Sequence, residues 1–120
     1  MKIAITTAGK DLDAPVELRF GRATSFMIYD TESKEFEIVD NSQQLNAAQG
    51  AGIQSAQNVI NGGATALISG HCGPKAMRVL KSKNVDVYVT EQTSIKQALA
   101  NLETGALTKI DEADVEEHWV

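Results

Sequence analysis

Residues 65–89, TALISGHCGPKAMRVLKSKNVDVYV, decide the fold class of this 120-residue chain. The apolar runs at 65–69 and 85–89 are typical of buried strands, and the segment between them has helical spacing. Pro74 lies where the first turn of that helix should begin, since a residue at this position needs no N–H partner. A strand, a helix and a second strand in this order predict two parallel strands joined by a crossover helix.

Three more strands are predicted on the N-terminal side of this unit. KIAIT (2–6) is a compact apolar run, which is typical of a buried strand. TSFMIYD (24–30) and EFEIVD (35–40) form a hairpin around the polar TESK (31–34). The second strand of this hairpin alternates apolar and polar residues, which indicates one exposed face.

Two further helices flank the central unit. The first is predicted over Gln49–Asn61 and ends at the glycines of NGG (61–63), since glycine tolerates the left-handed conformation needed there. Its predicted buried face consists of Gly52, Ile53, Ala56, Val59 and Ile60. The last helix begins at Ser94, which fits a capping box with Gln97, and ends at Gly105.

The predicted order β-β-β-α-β-α-β-α favours an α/β three-layer sandwich with helices on both faces of a mixed sheet. A sheet of five strands in the order 3-2-1-4-5, with strand 2 antiparallel, satisfies the hairpin and the right-handed crossovers. This is a ribonuclease H-like arrangement. Residues 1–110 are predicted to form one domain, and residues 111–120 an acidic C-terminal tail.

The predicted topology also locates a binding site. Ligands of open α/β sheets bind at the carboxyl ends of the strands beside a topological switch point, here between strands 1 and 4. Three loops emerge there, at 6–23, 41–52 and 69–75.

Composition excludes several classes of protein. The net charge is −5, and the acidic tail holds five of the sixteen acidic residues and no Lys or Arg, so the rest of the chain is neutral overall. This balance argues against nucleic acid as a partner. No apolar run reaches the roughly 20 residues that span a bilayer, and the N-terminus is predicted as a strand, so we expect no membrane partner. A single cysteine cannot form an internal disulfide, and we expect a cytoplasmic protein.

The turn SGHCGPKA (69–76) leaves three interpretations open. Its glycines and the first N–H groups of the following helix suit an anion, and the helix dipole favours the thiolate of Cys72, a soft-metal ligand beside His71. Alternatively, it is a structural turn with a half-buried cysteine. A catalytic thiol is the third interpretation, but no orienting base and acid are evident, so we expect no enzyme.

The loop ELRFGRA (17–23) leaves two interpretations open. Arg19 and Arg22 suit the clamping of an anion, and Lys75 adds positive charge from the neighbouring helix. Alternatively, Phe20 fills the core while both arginines pair with Asp11, Asp13 or Glu17.

The sequence lacks the residues that three familiar kinds of site require. Iron–sulfur ligation by the chain itself needs about four thiolates, and the chain has one cysteine. The sequence GKDLDA does not have the spacing of a phosphate-binding Walker loop. The first strand offers only Thr6 and Thr7 where nucleases of this fold class place a metal-binding carboxylate.

The sequence as a whole resembles the dinitrogenase iron–molybdenum cofactor biosynthesis family, the NifX/NafY-like carriers. The segments that carry the resemblance are MKIAI (1–5), FGRATSFMIYD (20–30), GAGIQSAQNVINGGATALISG (50–70), CGPKAMRVLKSKNVDVYV (72–89) and SIKQALANLETGAL (94–107). In size and in the turn HCGPKA (71–76), the chain is similar to the small orange-protein type, which carries a molybdenum–copper sulfide cluster.

The resemblance implies a non-catalytic carrier or scaffold. Its cargo would be an anionic metal–sulfur cluster, either a Mo–Cu sulfide or an iron–molybdenum cofactor precursor, and a protein partner would donate or receive it. The family's binding elements match Arg19, Phe20, Gly21, Arg22, Gly70, His71, Cys72, Gly73 and Pro74. Family members often have Asn and an apolar residue at the positions of His71 and Cys72, and this departure favours both as candidate metal ligands. The alternative function is a cofactor-free protein-interaction or regulatory module that docks through the tail.

Overall fold

A computed structural model describes residues 1–41 and 51–111, which form one twisted sheet with helices on both faces. The strands within these residues are β1 (Lys2–Thr7), β2 (Ser25–Asp30), β3 (Phe36–Asp40), β4 (Ala66–Ser69), β5 (Asp86–Val89) and β6 (Thr108–Ile110). The helices are α1 (Ala51–Asn61), α2 (Pro74–Ser82) and α3 (Ile95–Glu103), with a short 3₁₀ turn at Phe20–Arg22. The predicted helix residues 49–50 and the tail residues 112–120 lie outside the described residues.

The strand order of the sheet is β3-β2-β1-β4-β5-β6. β1, β4 and β5 are parallel, with Ile5 opposite Ile68 and Ile68 opposite Tyr88. β2 is antiparallel to both of its neighbours, β1 and β3. The predicted order of the first five strands and the antiparallel direction of the second are therefore confirmed.

The expectation of five strands is wrong, because the described residues contain a sixth. β6 pairs antiparallel with β5 at the edge of the sheet. Lys109 Nζ lies 3.2 Å from Asp86 Oδ1, and the hydrogen bond to this carboxylate raises the pKa of Lys109. β6 has three residues and one partly buried apolar side chain, so no alternation marks it in the sequence. The ribonuclease H-like assignment stays a prediction.

Side chains alternate between two cores, one on each face of the sheet. On one face Ala4, Phe26, Leu67 and Val87 are buried beneath α1 and α2. On the other face Ile3, Ile5, Met27 and Ile68 are buried beneath α3. Helices on both faces of a mixed sheet confirm the predicted three-layer α/β architecture.

The predicted helix ends are largely confirmed. Gly63 and Gly105 have φ of 82° and 77°, the left-handed region that favours glycine after a helix. Ser94 Oγ accepts a hydrogen bond from the Gln97 N–H at the start of α3. One predicted core position is wrong: Ile53 is 36% exposed, and Ser55 is buried on α1 instead. No helix in the described part of the chain is long and apolar enough to cross a bilayer.

Candidate functional site

The candidate site lies at the carboxyl ends of β1 and β4, where the direction of the chain connections reverses. After β1 the chain crosses this edge of the sheet through residues 15–19 and enters the 3₁₀ turn Phe20–Arg22. After β4 it makes a tight turn, residues 70–73, into α2. The predicted loops 6–23 and 69–75 therefore meet here, whereas most of the loop at 41–52 lies outside the described residues.

Backbone hydrogen bonds join the two loops directly. The Phe20 N–H donates to His71 O at 3.1 Å, and the His71 N–H donates to Leu18 O at 2.7 Å. Arg19 and His71 are thereby paired as an isolated parallel bridge. Gly70 permits this pairing, because a Cβ at this position would lie 2.5 Å from Leu18 O and 2.7 Å from Leu18 Cα.

The incoming loop is held in place by hydroxyl groups at the ends of the strands. Thr6 Oγ1 lies 2.6 Å from Glu17 O and 3.0 Å from Ser69 Oγ. Thr7 Oγ1 donates to Pro15 O at 2.9 Å. The two threonines of the first strand thus fasten the loop at the carboxyl end of β1.

The 3₁₀ turn separates an aromatic anchor from two basic side chains. Phe20 is fully buried and stacks on Phe26 with ring centroids 6.1 Å apart, and Gly21 is buried beside it. Arg19 and Arg22 are exposed on the outer side of the turn. Phe20 therefore fills the core as one interpretation of ELRFGRA expects.

Arg22 does not follow the rest of that interpretation. The Arg19 N–H donates to Glu17 Oε1 at 3.1 Å, which is a backbone contact. Within residues 1–41 and 51–111, the guanidinium of Arg22 forms no ion pair with Asp11, Asp13 or Glu17. The side chain of Arg22 is therefore exposed at the surface and not paired with any of these three carboxylates.

The N-terminus of α2 borders the same edge of the sheet. Gly73 is the N-cap residue and has no side chain with which to cap the helix, while Pro74 occupies the first helical position as predicted. The first turn contains no acidic residue, and Lys75 is half-buried in it. Helix N-termini carry partial positive charge from their unsatisfied N–H groups, so this end of α2 suits an anion.

His71 and Cys72 occupy different surroundings. Cys72 is fully buried in the core beneath α1 and α2, more deeply than the half-buried position that the structural interpretation expects. His71 is half-buried and lines a groove of about 600 Å³ with the 89–93 segment. In the described part of the chain, no three His, Cys, Asp or Glu residues are grouped to hold a metal ion.

One residue of this region was not predicted. Asn41, directly after β3, is 1% exposed, and its carboxamide bonds to Ala23 O, Ser55 Oγ and Asn58 Nδ2. The polar residue at the end of a predicted strand was the available signal, but Asn is common in loops for other reasons.

The fold and the site thus define a three-layer α/β protein with a basic, anion-compatible turn at its switch point. The chain belongs to the dinitrogenase iron–molybdenum cofactor family, whose sequence profile matches residues 1–105. The resemblance stated from the sequence motifs is therefore confirmed.

Individual relatives match over nearly the full chain. An uncharacterized protein of Methanocaldococcus jannaschii is 35% identical over 114 residues, 92% of each chain. The apo form of the orange protein from Desulfovibrio gigas superposes with a TM-score of 0.91 at 32% identity, covering 95% of this chain and 96% of that one. The solution structure of a Thermotoga protein assigned as NifB superposes with a TM-score of 0.84 at 35% identity, covering 96% of this chain and 97% of that one. The comparisons associate the chain with metal binding, molybdenum and cofactor biosynthesis.

Proposed function

We propose that this protein is a non-catalytic carrier or scaffold for an anionic metal–sulfur cluster. The cargo is a molybdenum–copper sulfide or an iron–molybdenum cofactor precursor, held without a covalent bond. A protein partner that donates or receives the cluster completes this role. The observation that carries the proposal is the meeting of the glycine-capped N-terminus of α2 with the arginine-bearing 3₁₀ turn at one edge of the sheet.

Charge and chemistry agree with this cargo. Thiomolybdate-type clusters are large, soft and negative, and the site contributes Arg19, Arg22, Lys75 and the first N–H groups of α2. Within the described residues, Asp and Glu are absent from the first turn of α2 and from the 3₁₀ turn. An arrangement of donors around a rigid turn binds an anion without first having to order the groups that hold it.

The other predicted residues have supporting roles in this proposal. Phe20 and Gly21 fix the 3₁₀ turn on the core, while Gly70, Gly73 and Pro74 shape the turn into α2. His71 and Cys72 stay predicted contacts for a soft metal such as copper, because imidazole and thiolate are ligands that copper accepts.

A loading experiment tests the function. Apo-protein is mixed anaerobically with tetrathiomolybdate and Cu(I), desalted, and measured by metal analysis and absorption spectroscopy. We expect retained molybdenum and charge-transfer bands, with retention that falls as salt concentration rises because the main contacts are ionic. Complete loss of metal on desalting at low salt would contradict the proposal and favour the interaction-module alternative.

Replacing Arg22 with glutamate should weaken tetrathiomolybdate binding about tenfold or more, since a charge-assisted hydrogen bond contributes about 1.5–3 kcal/mol. Lys83→Glu is the matched control, because Lys83 is an exposed basic residue at the opposite end of α2 from the candidate site. Titration of the absorption bands gives both dissociation constants. Equal losses in the two variants would mean that only net charge matters and that Arg22 makes no specific contact.

Replacing Cys72 with alanine tests the thiol as a copper ligand. We expect molybdenum retention close to that of the unsubstituted protein and a lower copper-to-molybdenum ratio, because the anion is held by amides and arginines. Metal analysis of the desalted complexes gives this ratio, and Cys72→Ser controls for the volume lost from the core. An unchanged ratio would remove Cys72 from the set of ligands.

A further inference from the structure

Asn41 connects the separate segments that form the site. Its backbone N–H donates to Thr24 O at 2.8 Å, which fastens the chain directly after β3 to the start of β2. Its Nδ2 donates to Ala23 O at 2.8 Å, and Ala23 is the residue that ends the 3₁₀ turn. The backbone and the side chain of Asn41 are therefore both hydrogen-bonded to the segment that follows the arginine-bearing turn.

The same carboxamide also binds α1. Nδ2 donates its second proton to Ser55 Oγ at 2.9 Å, and Oδ1 accepts from Asn58 Nδ2 at 2.8 Å. Both protons and the oxygen are thus used, in an environment where Asn41 is 1% and Ser55 0% exposed. Buried hydrogen bonds of this kind fix one arrangement of the groups they join, since leaving any of them unpaired carries a desolvation cost.

α1 in turn packs against α2 and the 3₁₀ turn. Gly52 in its first turn lies close to α2, because a Cβ there would stand 3.6 Å from Ala76 Cβ. The side of α1 that binds Asn41 is therefore held between the 3₁₀ turn and the helix whose N-terminus borders the site. The hydrogen bonds of Asn41 therefore link the turn that carries Arg22 to the helical layer.

We propose that Asn41 is the positioning residue of the anion site, whose carboxamide sets the 3₁₀ turn against α1 and so holds Arg22 in register with the N-terminus of α2. This inference rests on the proposed function for its ligand. Asn41 itself does not touch the cargo. Asn41 instead orders the basic groups before the anion arrives. Binding is stronger because less conformational entropy is lost when the anion binds.

The test compares Asn41→Ala with Val59→Ala. Val59 is fully buried on α1 and belongs to the apolar core, outside the Asn41 network, so its replacement destabilises the same helix without touching the network. Ser55→Ala removes one hydrogen bond from the network and serves as a milder variant if Asn41→Ala does not fold. Tetrathiomolybdate affinity is measured well below each melting temperature.

We expect Asn41→Ala to weaken tetrathiomolybdate binding about tenfold, the equivalent of one to two lost hydrogen bonds. Val59→Ala should bind within about twofold of the unsubstituted protein, because lost packing in the core leaves the turn in place. Asn41→Asp should resemble Asn41→Ala, since a carboxylate cannot donate to Ala23 O. Equal affinities for Asn41→Ala and Val59→Ala would overturn the inference.

Amide hydrogen exchange separates a failure of this inference from a failure of the proposed function. The reporters are the Arg22 N–H, bonded to Arg19 O, and the Ala23 N–H, bonded to Phe20 O. Both should exchange faster in Asn41→Ala than in Val59→Ala, whether or not the protein binds thiomolybdate. Unchanged exchange at these two amides would refute the positioning role, whereas faster exchange without any anion binding would refute only the proposed function.

Discussion

Replacing Gly70 with alanine is expected to lower the free energy of unfolding by about 3–5 kcal/mol and to disrupt the site. The added Cβ would lie 2.5–2.7 Å from Leu18 O, Cβ and Cα, and two of these atoms belong to the backbone, which no rotamer change can move. Relief requires the Leu18–Phe20 segment to separate from His71, which loses two hydrogen bonds of about 1 kcal/mol each in addition to strain of about 1–3 kcal/mol.

Gly52→Ala is the matched control for this substitution. A Cβ on Gly52 would meet Ala76 Cβ at 3.6 Å, an ordinary contact, and Gly52 lies inside α1 without a positive φ. We expect no loss of stability, or a gain of up to about 1 kcal/mol, because alanine favours the helix over glycine. Urea denaturation gives the free energy of unfolding of both variants. Equal values would show that the close approach of Leu18 does not restrict position 70 to glycine.

Replacing Phe20 with alanine should cost about 3–5 kcal/mol, the range for a fully buried aromatic side chain. Phe20 is 0% exposed and stacks on Phe26 with an angle of 24° between the rings. It is also the only large apolar side chain of the 3₁₀ turn, so its removal detaches Arg19 and Arg22 from the core. Anion binding should therefore fall together with stability.

Two further variants give this prediction its controls. Phe20→Leu retains most of the buried apolar volume and should lose about 1–2 kcal/mol while keeping the turn in place. Phe36→Ala removes an aromatic ring that is 39% exposed and should cost less than Phe20→Ala, since less apolar area returns to water. Thermal unfolding and thiomolybdate titration of the three variants measure both effects. A loss for Phe20→Ala no larger than that for Phe36→Ala would contradict the role of Phe20 as the anchor.

The elements that local chemistry specifies could be predicted from the sequence. Pro74, Gly63 and Gly105 mark helix ends through backbone geometry alone, and each was assigned correctly. The order of the first five strands follows from the hairpin and from the handedness of the crossovers, neither of which depends on side-chain detail. The meeting of the 3₁₀ turn with the turn at His71 then follows from the parallel pairing of β1 and β4.

Features that arise from tertiary contacts were missed. β6 is held by pairing with β5 and by the contact of Lys109 with Asp86, and three residues are too few to reveal a period. Helical spacing placed Ile53 in the core, but Ser55 is buried there because its hydroxyl accepts from Asn41. A polar side chain selected by a partner distant in sequence leaves no periodic signal.

The bridge between Arg19 and His71 joins parts of the chain that are roughly fifty residues apart. This pairing forms only after β4 has docked on β1, because His71 follows β4 and the loop that bears Arg19 is fastened to the end of β1. Under the proposed function, the cargo therefore binds the folded protein alone. By mass action the cargo in turn favours that fold, so a loaded carrier should resist heat and proteolysis better than an empty one.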